Sequence, residues 1–308
     1  MSPFQRVIMF AWWTTVVGWL GGCIGIPSPQ RTALKPAEAP PEDASIAQAS
    51  FEEPAAVDSL LTPRKLSFPQ QGWWCGEFSD WLTPERAEKG YTIILPGVEG
   101  TSWFNISVAR GLVDAGHDRA IEIHDWTTGY WPMFVYHLMA LERNREKARE
   151  IAERIVAYQD RYPGRPVTLI GHSGGAAMAV LVLESLPVDR QVTQAILLAG
   201  ALSPDYQLDS ALARTENGIT NYYSGGDALY LIAGTLALGT IDRQHAVSAG
   251  AIGFHTPEKL TAEQRELYDA KLRQEPYRLE MFKSLNFGGH FGPVNRRFVA
   301  QWVAPGLK

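Results

Sequence analysis

Residues 166–182 read PVTLIGHSGGAAMAVLV, and their interpretation decides the fold. Val167 to Ile170 form a short apolar run with the β-branched character of a buried strand. Gly171-His172-Ser173-Gly174-Gly175 then leaves no room for a gradual turn, and small residues (Ala176, Ala177, Ala179) open a helix at once. A strand that bends so sharply into a helix forces its central residue into a strained backbone conformation. Glycines two before and two after remove the Cβ atoms that would collide. Ser173 is thereby expected at the tip of the bend, beside free N–H groups and the positive end of a helix, where an oxyanion is favoured. This is the context in which a serine becomes a nucleophile.

Outward from this stretch the chain alternates strands with helices. YTIIL (residues 91–95) reads as a strand, residues 101–115 as a helix stopped by Gly116, and RAIEI (119–123) as the next strand. The clearest helix covers residues 141–162, with Ile151, Ile155, Val156 and Tyr158 facing inward between charges. VTQAILL (192–198) and ITNYY (219–223) read as further strands, and residues 294–303 as a last helix. This alternation predicts an α/β fold, a mostly parallel sheet with helices on both faces.

In such sheets the useful residues follow the last apolar position of each strand. After residues 91–95 comes Pro96-Gly97-Val98-Glu99-Gly100, a loop that can donate one oxyanion N–H from Val98, or from Glu99, alongside that of Gly174. After residues 219–223 comes Ser224-Gly225-Gly226-Asp227, which makes Asp227 the candidate acid, with Asp205 and Asp242 as competitors. A helix N-cap is the plainer role for that aspartate. The base has to be a histidine downstream of the acid. His290, in the glycine-rich Asn286-Phe287-Gly288-Gly289-His290-Phe291-Gly292, is preferred over His255 and His245.

The order Ser173, Asp227, His290, with the bend and the early glycine-containing loop, resembles the α/β-hydrolase superfamily over residues 91–306. One departure is Pro96-Gly97 where members often carry His-Gly. The resemblance implies a central sheet of about eight strands and acyl transfer through an acyl-enzyme on Ser173, with Asp227 and His290 completing a triad and Val98 and Gly174 forming the oxyanion hole. Trp103 and Phe104, with the segment Trp126, Tyr130, Trp131, Phe134 and Tyr136, are available to line an apolar acyl pocket, which favours a carboxylic ester or lipid. Peptidase, thioesterase and acyltransferase chemistry use the same groups, and a noncatalytic binding protein on the same scaffold is the alternative of a different class. No metal or organic cofactor is called for.

The first 22 residues read as a signal peptide: Arg6 precedes an uncharged run over residues 7–26 that includes VIMFAWWTTVVGWL. Leu20-Gly21-Gly22-Cys23 resembles the lipobox of bacterial lipoproteins, which implies lipidation of Cys23 and an exported, membrane-tethered chain. An uncleaved anchor and plain secretion are the other readings. Residues 23–63, rich in Pro, Ala and Glu, read as a spacer, and 64–308 as the hydrolase domain. With Cys23 lipidated only Cys75 remains, so no intramolecular disulfide is expected. A net charge of −5 over 308 residues, with the basic residues between Arg143 and Arg154 interleaved by Glu142, Glu146, Glu150 and Glu153, argues against nucleic-acid partners.

Overall fold

A computed structural model describes residues 80–129, 133–227 and 247–307, with only the backbone for Phe134, Val135 and Leu138. The signal peptide, Cys23, the spacer, Cys75, Tyr130, Trp131, Asp242 and His245 lie outside the described residues.

Six strands form one all-parallel sheet: β1 (Tyr91–Leu95), β2 (Ala120–Ile123), β3 (Val167–His172), β4 (Gln194–Leu198), β5 (Ile219–Tyr223) and β6 (Leu272–Pro276), in the order β2-β1-β3-β4-β5-β6. The expectation of about eight strands is not met among the described residues. Residues 80–90 form no strand; their element is a helical turn, α1 (Pro84–Ala87), whose N-terminus Thr83 caps by accepting from the Arg86 amide at 3.4 Å. β6 was not foreseen, because LRQEP is a polar edge strand with no apolar alternation. It is held partly by its side chains: Gln274 exchanges hydrogen bonds with the Phe254 amide (2.6 Å) and carbonyl (2.7 Å).

The helices divide between the two faces. On one lie α4 (Leu141–Arg161) and α5 (Gly174–Ser185), packed on Ile93, Leu95, Val167 and Leu169. On the other, α2 (Trp103–Asp114) and the C-terminal α9 (Arg296–Phe298), which runs on into a π-helical turn (Val299–Val303), cover Ile94, Ile170, Ile196 and Leu198. All of Gly174 through Leu183 is buried, so α5 is apolar on every side and sits at the centre of the molecule. The exposed face of α4 carries the expected ion pairs, Arg145–Glu142 at 3.1 Å and Lys147–Glu150 at 2.6 Å. Arg154 instead turns inward, where it bonds both the buried Glu122 carboxylate and the Tyr91 hydroxyl at 2.9 Å. Short helices complete the chain: α3 (Phe134–Met139), α6 (Asp209–Ala213), α7 (Ala249–Ile252) and α8 (Ala262–Lys271).

Candidate active site

From β1 the chain moves outward to β2, and from β3 it moves the other way, so the strand order reverses between β1 and β3. The loops leaving these two adjacent strands stand at the carboxyl end of the sheet, at the switch point where α/β folds bind ligands. They are residues 96–100 and the bend at Ser173.

Ser173 has φ 54° and ψ −119°, one of three non-glycine residues with positive φ among the described residues. Such a conformation costs about 1–3 kcal/mol and persists only when the surroundings impose it. Here both sides do. The Ser173 amide donates to the Leu198 carbonyl at 3.0 Å, and its own carbonyl accepts from the Ala176 and Ala201 amides at 3.1 Å each. A Cβ on Gly171 would overlap the Gly175 carbonyl, and one on Gly175 would overlap the Leu95 and Pro96 carbonyls. Both glycines are therefore steric requirements of the bend.

The loop after β1 lies against the start of α5. A Cβ on Gly174 would stand 2.7 Å from Val98 Cγ1 and 3.4 Å from the Val98 nitrogen, so the two expected oxyanion donors belong to residues in contact. Side chains from the segment after β2 hold that loop. Trp126 Nε1 donates to the Pro96 carbonyl at 2.7 Å, His137 Nδ1 donates to the Val98 carbonyl at 2.8 Å, and the Thr101 amide donates to Asp125 at 3.0 Å. The carbonyl fixes His137 as the Nδ1–H tautomer, and its Nε2 accepts from the Thr128 amide at 3.0 Å. Burial lowers the His137 pKa and keeps it neutral, as this double role requires.

Trp126 therefore departs from the expectation that it lines a pocket. It is buried, and its indole N–H is committed to the loop. Phe104 stacks on Phe291 with ring centroids 4.1 Å apart, which ties α2 to the loop that carries His290. Trp103 and Tyr136 are exposed.

Asp227 ends a 3₁₀ turn (Gly225–Asp227) directly after β5, and His290 follows 63 residues later in the chain. His290 Nδ1 donates to Asp227 Oδ1 at 2.8 Å, with both side chains buried. This leaves Nε2 as the ring nitrogen with a lone pair. A second link joins the two loops: Ser224 Oγ donates to the Gly288 carbonyl at 2.6 Å while accepting from the Gly226 amide at 3.2 Å. His172, the residue before Ser173, packs its ring 4.8 Å from that of His290 and donates from Nε2 to the His290 carbonyl at 3.2 Å. The His290 ring thus lies beside the bend that presents Ser173. Burial, and then the neighbouring His290, push the His172 pKa down to about 3, so it is neutral.

Two of the competitors, His255 and Asp205, are among the described residues. His255 Nδ1 and Asp205 Oδ1 pair with each other at 2.8 Å, both exposed. The contributions of Trp126, His137 and Asp125 to the loop after β1 escaped the sequence reading, because each acts on a backbone group 24 to 39 residues away.

No family model matches the chain, and no curated relative was found. Among solved structures, similarity extends to a dienelactone hydrolase-like promiscuous phosphotriesterase from metagenomic libraries. The identity is 13%, with 61% of this chain and 69% of that one covered and a TM-score of 0.37. It extends also to a lipase-esterase related protein from Clostridium acetobutylicum, at 12% identity over 71% of this chain and 95% of that one, with a TM-score of 0.36. The α/β fold stands on the chain's own six-stranded parallel sheet.

Proposed function

We propose that this protein is a serine hydrolase of carboxylic esters or lipids. The observation that carries the reading is the pairing of a backbone-strained serine at the strand-to-helix bend with a buried Asp227–His290 pair whose imidazole lies against that bend. Ser173 Oγ attacks the carbonyl carbon while His290 Nε2 takes its proton. The oxyanion forms between the Val98 and Gly174 amides. As the tetrahedral species collapses, the carbon–oxygen bond to the leaving group breaks and His290 returns the proton to that oxygen. Water, deprotonated by the same Nε2, then releases the acid and frees the serine. Asp227 holds the Nδ1–H tautomer and offsets the imidazolium charge.

The extent of the acyl chain can be read by assaying esters of increasing chain length. Ser173→Ala should abolish turnover at every length while leaving the melting temperature within a few degrees. Equal activity of wild type and variant would refute the reading. The same proposal includes tethering at a membrane through lipidated Cys23, which mass spectrometry of the exported protein would test.

A further inference from the structure

Glu99 is a carboxylate at this site that takes no part in the proposed reaction. It sits in the loop after β1, next to Val98. Its Oε2 lies over Gly97, where a Cβ would overlap it, and its Oε1 is 4.0 Å from His172 Nδ1. Its surroundings offer little to balance a charge. Among the described residues no lysine or arginine reaches ion-pairing distance of it. The Ser102 hydroxyl stands 3.4 Å away but lies nearer Asn105 Oδ1, at 3.1 Å, and one hydroxyl has one proton to give. His172 gives its Nε2 proton to a carbonyl and is neutral, so it turns a bare lone pair toward the carboxylate. That Nδ1 is buried and has no hydrogen-bond partner. Burial raises the Glu99 pKa; the compensation comes from the carboxylate's own amide, from His290 and from the Ser102 hydroxyl that it shares with Asn105, while Asp125 adds to the rise.

A half-buried anion with no lysine or arginine at ion-pairing distance among the described residues is costly, and it stands in the loop that must receive an oxyanion, which its charge disfavours. A positive charge brought by the substrate would remove both penalties. Resting on the serine-hydrolase reading, we infer that Glu99 is a specificity residue and that the preferred substrates are esters carrying an ammonium group a few ångströms from the scissile carbonyl.

The test compares choline butyrate with its carbon isostere, in which a tert-butyl group replaces the trimethylammonium, and a second pair that carries the same exchange on the acyl side. The wild type should favour the cationic member of at least one pair by about 10-fold in kcat/KM, equivalent to about 1.4 kcal/mol. Glu99→Gln, of nearly the same shape, should bring that ratio to within about 2-fold of unity, through a larger fall on the cationic member than on the neutral one. Glu99→Asp should keep part of the preference.

A ratio unchanged by Glu99→Gln, or a wild type that prefers the neutral esters, overturns the inference and leaves the hydrolase reading standing. An equal fall on both members also overturns it, because the carboxylate would then serve His290 and not the substrate. A wild type that cleaves none of the esters and takes no fluorophosphonate label removes the hydrolase reading, and this inference with it.

Discussion

Replacing Asp227 by asparagine changes one atom in the pair on which the mechanism turns. The carboxylate accepts from His290 Nδ1 at 2.8 Å, both groups are buried, and Asp227 Oδ2 has no hydrogen-bond partner among the described residues. Two losses follow. An asparagine that turns its amide group toward Nδ1 stabilises the tautomer with its proton on Nε2, which cannot then accept from Ser173. In addition, the imidazolium formed in the transition state loses an anion whose charge centre lies about 4 Å away, an interaction of about 4 kcal/mol at an effective dielectric constant of about 20. That interaction alone is about 10³-fold in rate, and the wrong tautomer brings the total to about 10³–10⁴ in kcat, with KM little changed. Steady-state kinetics on a short-chain chromogenic ester, with a thermal melt to show that the variant is folded, measures this directly. A folded Asp227→Asn that keeps more than a tenth of the wild-type kcat would refute the reasoning.

Other outcomes follow from the same geometry. Gly174→Ala drives a methyl group into Val98 and parts the two amide donors, so kcat should fall by about 10²–10³ on the same ester while the melting temperature holds within a few degrees. Arg154→Met takes the guanidinium from the buried Glu122 carboxylate, leaving it the Tyr91 hydroxyl and His124 Nδ1, and should cost up to about 3–5 kcal/mol in a urea titration, with the Glu122→Gln double variant recovering part of it. Acid should weaken the fold through two histidines. Burial is the main cause that holds His117 down to about 4 and His172 down to about 3, against an unfolded value of about 6.5. The unfolded chain takes up protons that the folded state refuses, so this stability is complete above about pH 6.5 and is lost as the pH falls toward the folded values. Between about pH 7 and 5 the loss is about 2 kcal/mol per histidine, or about 4 kcal/mol together, measurable as a drop in denaturation midpoint.

What the sequence made legible was local. The bend at Ser173 could be read because one run of residues contains the strand, the two required glycines and the apolar helix. β1 to β5 could be read because each is a short apolar run between turns. The polar β6 could not, since an edge strand buries little and Leu272–Pro276 is fixed by its neighbours rather than by its own pattern. Aromatic residues were the other difficulty. Trp126 reads equally well as pocket lining or as core, and only the position of the Pro96 carbonyl, 30 residues away, shows it holding the loop after β1. Glu99 looked like a reserve amide donor. Its carboxylate acquires interest only when His172 is seen to direct an unprotonated nitrogen at it.

The most direct measurement is the intact mass of the full-length protein after exposure to a fluorophosphonate. An activated hydroxyl at the bend requires one adduct per chain, mapped to the peptide that contains Ser173, absent from Ser173→Ala and formed far more slowly by Asp227→Asn. A folded wild type that gains no mass, or one modified on a different residue, would contradict it.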